Sequence, residues 1–573
     1  MGGNMKIRLF AWIVTVVIWI VSSTPTFAVS PPPAKGTQGM VVTSHRLATE
    51  IGIDILKNGG NAVDAAVAIG YALAVTLPNA GNIGGGGFMI IRMADGRETM
   101  IDFREAAPLA AFRDMYLDKN GNVKKEILAK SWMASAIPGT VAGLELARSK
   151  YGTMKTKPLI LPSIKLAQEG YVLNEWDSIV ELGDMLVKAA EKDQYVNKFF
   201  LKEGKPYKSG ELFKQPAIAK SLEIIADQGP QAFYRGWIAE EVLRASQLGG
   251  GIFSKADLEK YQAIERKPIR SEYRGFQVIS SAPPSSGGIV LCETLNVLEG
   301  FPLKQLGFRS AEGVHLLVEA LRRSFADRNI ELGDPGFVTN PIQNLISKEY
   351  AAKIASSIDK NKATPSSQIK GGTPKKEGKE TTHYSVVDKQ RNAVAVTYSL
   401  GRNFGASKIA GEAGFFVNDT MQGFTAKVGT PNVFGLLMGE ANAIAPGKRP
   451  LSSMTPTVIL KDGKVFMVTG SPGGPRIITT TLHTILNVID YGMNMQEAVD
   501  APRIHHQWMP DTVYIEPNAL SPDTKGILEK MGHRLVVQEY KWSLADSILI
   551  DPITGAMQGA HDNRIPSGAA MGY

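Results

Sequence analysis

The chain has 573 residues, 44% of them hydrophobic and 21% charged, with a formal net charge of +8. This composition is globular, which excludes a disordered or fibrous chain and leaves room for several domains' worth of core or one large sandwich. Cys292 is the single cysteine, so no intrachain disulfide forms and stability rests on the core.

Residues 1–28 read as a secretory signal. Lys6 and Arg8 give the positive start, 9–21 is an apolar run, and Thr26-Phe27-Ala28 offers a cleavage site. The alternative is an uncleaved anchor. Either way the body is expected to be exported, to the periplasm or the medium. No other stretch reaches the roughly 18 consecutive apolar residues of a spanning helix. Val41-Val42-Thr43 predicts a strand, and Ser44 a cap for a helix over 46–57 that stops at Asn58-Gly59-Gly60. Asn61 and Asp64 open a second helix, 62–75, rich enough in Ala and Gly to pack closely and be buried. The run from Gly81 to Gly87 lacks the dinucleotide-binding spacing and reads as backbone that another segment packs against. Strands over 88–93 and 98–103 form a hairpin ending at Asp102-Phe103-Arg104-Glu105. Arg104 has two readings here: a salt bridge to Asp102 or Glu105, or a guanidinium fork for a substrate carboxylate.

Residues 140–270 read as mostly helical and show no chemistry. A strand over 274–281 leads through Ser285-Ser286-Gly287-Gly288 into a helix at 289–299. That helix start is a cap or an anion site, and Cys292 within it reads as a buried structural thiol. Another helix covers 311–327. Residues 358–380 are rich in Lys, Ser, Thr, Gly and Pro and read as a mobile linker. Its lysines lack the interleaved aromatics or amphipathic period of a nucleic-acid or membrane patch.

Thr381-Thr382-His383-Tyr384-Ser385-Val386-Val387-Asp388 then opens a hairpin that turns at 389–392 and returns over 393–399. Cleavage before Thr381 would leave it a hydroxyl and an α-amine of pKa roughly 8, the pair used in N-terminal threonine catalysis. Alone, such a pair is usually an ordinary strand start. The long loop over 421–447 has the length of a functional lid. Pro450-Leu451-Ser452-Ser453-Met454 enters a hairpin over 458–469, and Gly470-Ser471-Pro472-Gly473-Gly474-Pro475-Arg476 leads into a helix over 477–491. Paired glycines at a strand-to-helix turn free backbone N–H groups for an oxyanion hole, or simply make a tight turn. No metal-binding His-Glu-x-x-His or paired-Cys motif and no Gly-x-Ser-x-Gly elbow occurs, and His505-His506 reads as structural.

Segments 58–64, 102–105, 381–388, 449–454, 470–474, Asp500-Ala501-Pro502-Arg503 and Gly572-Tyr573 together resemble the γ-glutamyltransferase (glutathione hydrolase) family. The resemblance implies an α+β fold, the αββα sandwich of N-terminal-nucleophile hydrolases. It implies self-cleavage between Glu380 and Thr381, giving a large chain of 29–380 and a small chain of 381–573. Thr381 would attack the γ-amide carbonyl of a γ-glutamyl substrate. Gly473 and Gly474 would hold the oxyanion, and Ser399 would steady the nucleophile's hydroxyl. Arg104, Ser452 and Ser453 would hold the α-carboxylate. Water, an amino acid or a peptide would accept the acyl group. Residues 428–440 would be a lid, with Phe434 where some members have tyrosine. No cofactor, metal or nucleic acid is implied.

The resemblance fails at the α-ammonium. The matching ligand positions are Gly401, Thr420 and Gly423, and Gly423 stands where the family has an acidic residue. Leaving a substrate ammonium without its charged partner costs roughly 2–5 kcal/mol. Three readings follow. The first is a γ-glutamyl hydrolase or transferase in which Asp419, Glu412 or Glu440 supplies the charge. The second is an acylase preferring glutaryl-type donors, as some cephalosporin acylases do. The third is a relative that binds without turnover.

Overall fold

The computed structural model describes residues 30–369, 381–432, 435–539 and 542–573. The expected signal at 1–28, Glu380 at the expected cleavage site and Phe434 in the expected lid lie outside the described residues. Pro33–Tyr573 is one compact unit.

Two seven-stranded antiparallel sheets stack at its centre. The first runs Ala569–Gly572, Met40–Thr43, Thr382–Val387, Ala393–Ser399, Gly86–Arg92, Glu98–Asp102, Ile264–Arg266. The second runs Ala34–Gly36, Met557–Ala560, Ser547–Ile550, Lys464–Thr469, Thr457–Lys461, Phe276–Ser280, Ile269–Tyr273. The alternation of strand side chains sorts the core. Tyr384, Val386, Val394, Val396 and Tyr398 point to a helical layer that includes Arg46–Lys57, Ala62–Thr76 and Thr140–Tyr151. The Tyr384 and Tyr398 hydroxyls donate to the carbonyls of Ala66 (2.9 Å) and Gly70 (3.0 Å) on the second of these helices. Val387, Ala393 and Ala395 point the other way, into a core shared with the second sheet and with helices Gly287–Glu299, Ala311–Glu331 and Arg476–Ile489. The order is helices, sheet, sheet, helices, as the resemblance implied.

The predicted elements are largely those found. Asn61 and Asp64 form a capping box on the helix Ala62–Thr76, whose every residue is buried. The glycine run admits close packing: a Cβ on Gly85 would lie 2.0 Å from the Ser399 carbonyl oxygen, and one on Gly86 2.3 Å from that of Phe103. Cys292 is buried, and burial pushes its thiol up to about 12. Two details differ. The cap of Arg46–Lys57 is His45, because the Ser44 hydroxyl donates to Asp546 (2.8 Å) instead. The described part of the expected linker is docked: the Ser366 hydroxyl donates to the Trp508 carbonyl (2.7 Å), and the Trp508 indole N–H donates back to the Ser366 carbonyl (3.1 Å).

Candidate active site

Thr381 precedes the strand Thr382–Val387. That strand pairs with Ala393–Ser399 in the register Thr382 to Tyr398, so Thr381 falls opposite Ser399 on the face that looks toward the second sheet. The interior beneath is polar rather than apolar. His383 contacts the Thr397 hydroxyl at 2.8 Å and the Ser385 hydroxyl at 3.1 Å, and Ser385 donates to the Asp546 carbonyl at 2.8 Å. Burial pushes His383 down to about 3, so the ring is neutral at physiological pH. Thr382 donates to Ser44 (3.2 Å), which donates to the Asp546 carboxylate. The start of this strand is thus held by a satisfied hydrogen-bond network, which fixes direction better than apolar contact does.

Thr381 lines two cavities. Around the first stand Arg104, Ser399, Gly401, Thr420, Gly423, Ser452, Ser453 and Gly474, with Arg328 and Gln422 beside them. The second is about 310 Å3 and includes Gly473, Trp176, Glu181 and Trp542. Gly473 and Gly474 have φ of 124° and 58°, backbone that a side chain rarely adopts. A Cβ on Gly473 would lie 2.1 Å from the Ser543 hydroxyl. Their carbonyls accept the first N–H groups of the helix Arg476–Ile489, from Arg476 and Ile477, both at 3.1 Å. Among the described residues neither glycine N–H has an assigned acceptor, as an oxyanion site requires. Ser399 accepts the Gly401 N–H at 2.8 Å.

Of the two readings of Arg104, the salt bridge is formed, to Glu105. Its Nη1 donates to Glu105 (2.8 Å) in a buried pair, and its Nε donates to the Pro450 carbonyl (3.1 Å). Burial pushes the Glu105 carboxyl up, and the guanidinium beside it works against that shift. Nη2 remains toward the cavity, 3.5 Å from the place of a Cβ on Gly423. Asp102 does not pair with the Arg104 side chain; its carboxylate binds Arg266 (2.8 Å) and Arg449 (2.6 Å) and accepts the Arg104 backbone N–H. The hydroxyl of Ser286 donates to the Ser452 carbonyl (2.7 Å), so the predicted helix cap is not formed by that side chain.

The expected substitutes for the missing carboxylate are engaged elsewhere. Asp419 is fully buried behind Gly401, where a Cβ would lie 2.0 Å from its Oδ1. It accepts from the Arg402 backbone N–H (3.0 Å) and from Nε (2.6 Å). Glu412 pairs with Lys198 (2.7 Å) and Glu440 with Arg113 (2.9 Å). Among the described residues no carboxylate lines the first cavity. What it offers instead is neutral. Thr420 donates its proton to Asn418 (2.7 Å), leaving its lone pairs free to accept. Gln422, 1% exposed, also lines the cavity, with its side-chain amide beside the Asp419 carboxylate. The sequence reading missed Gln422 and Arg328, since side-chain direction alone brings them here.

One cluster of potential metal ligands occurs among the described residues, His315, Glu319 and His533. The two rings hydrogen-bond each other at 2.8 Å, and Glu319 is held by Arg322 (3.2 Å) and Arg323 (2.7 Å). His533 Nδ1 is buried with no hydrogen-bond partner among the described residues.

The Gamma-glutamyltranspeptidase family profile matches residues 48–572. The chain belongs to this family. It is 51% identical to the glutathione hydrolase proenzyme of Pseudomonas sp. (strain A14) over 95% of this chain and 96% of that one. It is 50% identical to the glutathione hydrolase proenzyme of Escherichia coli (strain K12), over 94% and 93%. Among solved structures it resembles the cephalosporin acylase from Bacillus halodurans, with a TM-score of 0.83 and 25% identity, over 96% of this chain and 98% of that one. The γ-glutamyltranspeptidase family member described here is therefore a hydrolase and transferase with the N-terminal-nucleophile αββα fold.

Proposed function

We propose that this chain is an exported γ-glutamyl hydrolase and transferase that acts on glutathione and other γ-glutamyl amides through an acyl-enzyme on Thr381. The carrying observation is that Thr381 adjoins both the Gly473–Gly474 turn and the cavity bearing Arg104, Ser452 and Ser453. Cleavage between Glu380 and Thr381 yields the large chain 29–380 and the small chain 381–573 and frees the α-amine. That amine takes the Thr381 hydroxyl proton as the oxygen attacks the γ-carbonyl carbon. The oxyanion accepts from Gly473 and Gly474 while Ser399 orients the nucleophile. The amine then gives its proton to the departing amine as the C–N bond breaks. Water, or an amino acid or peptide amine, reverses these steps on the ester. The second cavity, on the other side of Thr381, has room for the amine that leaves or arrives. Arg104, Ser452 and Ser453 hold the α-carboxylate, and Thr420, beside Gly423, accepts from the α-ammonium.

One observation favours a second reading, a γ-acylase preferring glutaryl-type donors. The first cavity has Gly423 where the family resemblance calls for an acid, and no carboxylate among its described lining residues. Initial rates on matched γ-glutamyl and glutaryl anilides, with Thr381→Ala as the blank, decide between the two. A γ-glutamyl preference supports the first reading and a glutaryl preference the second. Rates equal to the blank on both overturn the enzyme assignment for these donors. Export is tested by the N-terminal sequence of the mature large chain, which should begin near residue 29.

A further inference from the structure

We propose that Arg328, on the helix Ala311–Glu331, is a specificity-determining residue that makes the first cavity select acyl donors ending in a carboxylate. The inference rests on the acyl-transfer reading but is the same for γ-glutamyl and glutaryl donors.

Arg328 is 1% exposed and lines the cavity. All three of its assigned partners are neutral: Nε donates to Ser286 (3.0 Å), Nη1 to Asn329 (2.7 Å) and Nη2 to Ser453 (3.2 Å). Among the described residues it forms no ion pair. This separates it from the other arginines of its helix. Arg322 and Arg323 both pair with Glu319, at 3.2 and 2.7 Å. It also separates it from Arg104, whose charge Glu105 balances. The cavity wall therefore carries one uncompensated positive charge, and Arg328 supplies it. Burial holds its guanidinium down at about 9, still protonated at neutral pH. A buried charge without a counter-ion is costly, so a carboxylate entering the cavity gains by becoming that counter-ion.

The hydrogen-bond geometry carries the charge to the substrate. Arg328 has only donors, so the Ser453 oxygen accepts from it and the Ser453 proton turns elsewhere, free to donate to a carboxylate in the cavity. Ser286 accepts from Arg328 and donates to the Ser452 carbonyl (2.7 Å), and its N–H donates to the same carbonyl (2.9 Å). One buried guanidinium thus braces the backbone of Ser452 and sets the hydroxyl of Ser453.

The test uses the processed two-chain enzyme with γ-glutamyl, glutaryl and pentanoyl anilides; the pentanoyl chain replaces the terminal carboxylate of glutaryl by a methyl group. Arg328→Met is expected to raise KM for both carboxylate donors by about 10- to 100-fold, the range for a lost charge-assisted hydrogen bond, with kcat and the pentanoyl kcat/KM changed less than about threefold. Arg328→Lys keeps the charge and loses the fork, so its KM values should fall between. As a readout independent of turnover, glutarate should raise the melting temperature of the wild-type protein and not that of Arg328→Met. A merely structural role would lower kcat/KM for all three anilides alike, and that result overturns the proposal, as does an unchanged KM. If wild-type protein turns over neither carboxylate anilide, the acyl-transfer reading fails while the glutarate shift still tests Arg328. Should Arg328→Met fail to fold or process, Arg328→Lys carries the test: wild-type KM on both donors overturns the proposal.

Discussion

Replacing Gly423 with aspartate puts a carboxylate into a cavity whose described lining has none. The position tolerates a side chain. Its φ is not in the left-handed region, and a Cβ there meets Pro450 Cβ at 3.1 Å, Arg104 Nη2 at 3.5 Å and the Leu451 oxygen at 3.6 Å. Only the Pro450 contact must yield, by a few tenths of an ångström. A charged partner for a substrate ammonium is worth roughly 2–5 kcal/mol. The new carboxylate also sits beside Arg104 and weakens its hold on the donor's carboxylate, but that loss falls on γ-glutamyl and glutaryl donors alike. The ratio of their kcat/KM values therefore isolates the ammonium. Taking about 2 kcal/mol at 1.4 kcal/mol per tenfold, the ratio should move about 30-fold toward γ-glutamyl. The assay is kcat/KM on the two anilides for the wild type, Gly423→Asp and Gly423→Asn, the last having nearly the same size without the charge. A ratio that moves less than about threefold, or moves as far with asparagine, refutes the electrostatic account of this cavity.

Three further outcomes are expected. Thr381→Ala should remain one chain on a denaturing gel and give no rate above background, whereas Thr381→Ser, which keeps a hydroxyl, should still yield two chains. Gly473→Ala forces a side chain onto a φ of 124° and against Ser543; losing an aligned oxyanion donor costs about 10²–10³ in kcat, with KM nearly unchanged in steady-state assays. The third concerns acid stability. His383 titrates at about 3 in the folded chain against roughly 6.5 when unfolded, so between these values the unfolded chain binds the extra proton. Stability should fall as pH drops below about 6.5, by up to about 1.4 kcal/mol per pH unit from this ring. His383→Gln should flatten that part of the curve in urea denaturation at pH 7, 6, 5 and 4; an equally steep curve in the variant would falsify the assignment.

Much of this molecule is legible along the chain because it depends on neighbours in sequence. The alternation over 382–399 predicts the hairpin, and the register of that hairpin sets Thr381 against Ser399. Asn61 and Asp64 announce their helix through a three-residue spacing that the capping box uses. The glycines at 84–87 and 473–474 mark places where backbone must approach backbone or turn left-handed. These are local steric and hydrogen-bonding constraints, and a single sequence carries them.

What the tertiary structure decided is the charge of the first cavity. Asp419, Glu412 and Glu440 were candidates by position, and each is neutralised by a cation that the sequence does not place beside it: Arg402, Lys198 and Arg113. Arg328 sits in a helix with Arg322 and Arg323, and nothing nearby in the sequence tells it apart from them. It differs because it faces Ser453, 125 positions later, and no acid among the described residues, while they share Glu319. Charge pairing between distant segments follows from which side chains the packed helices and sheets bring within a few ångströms. That information exists only once the chain is folded.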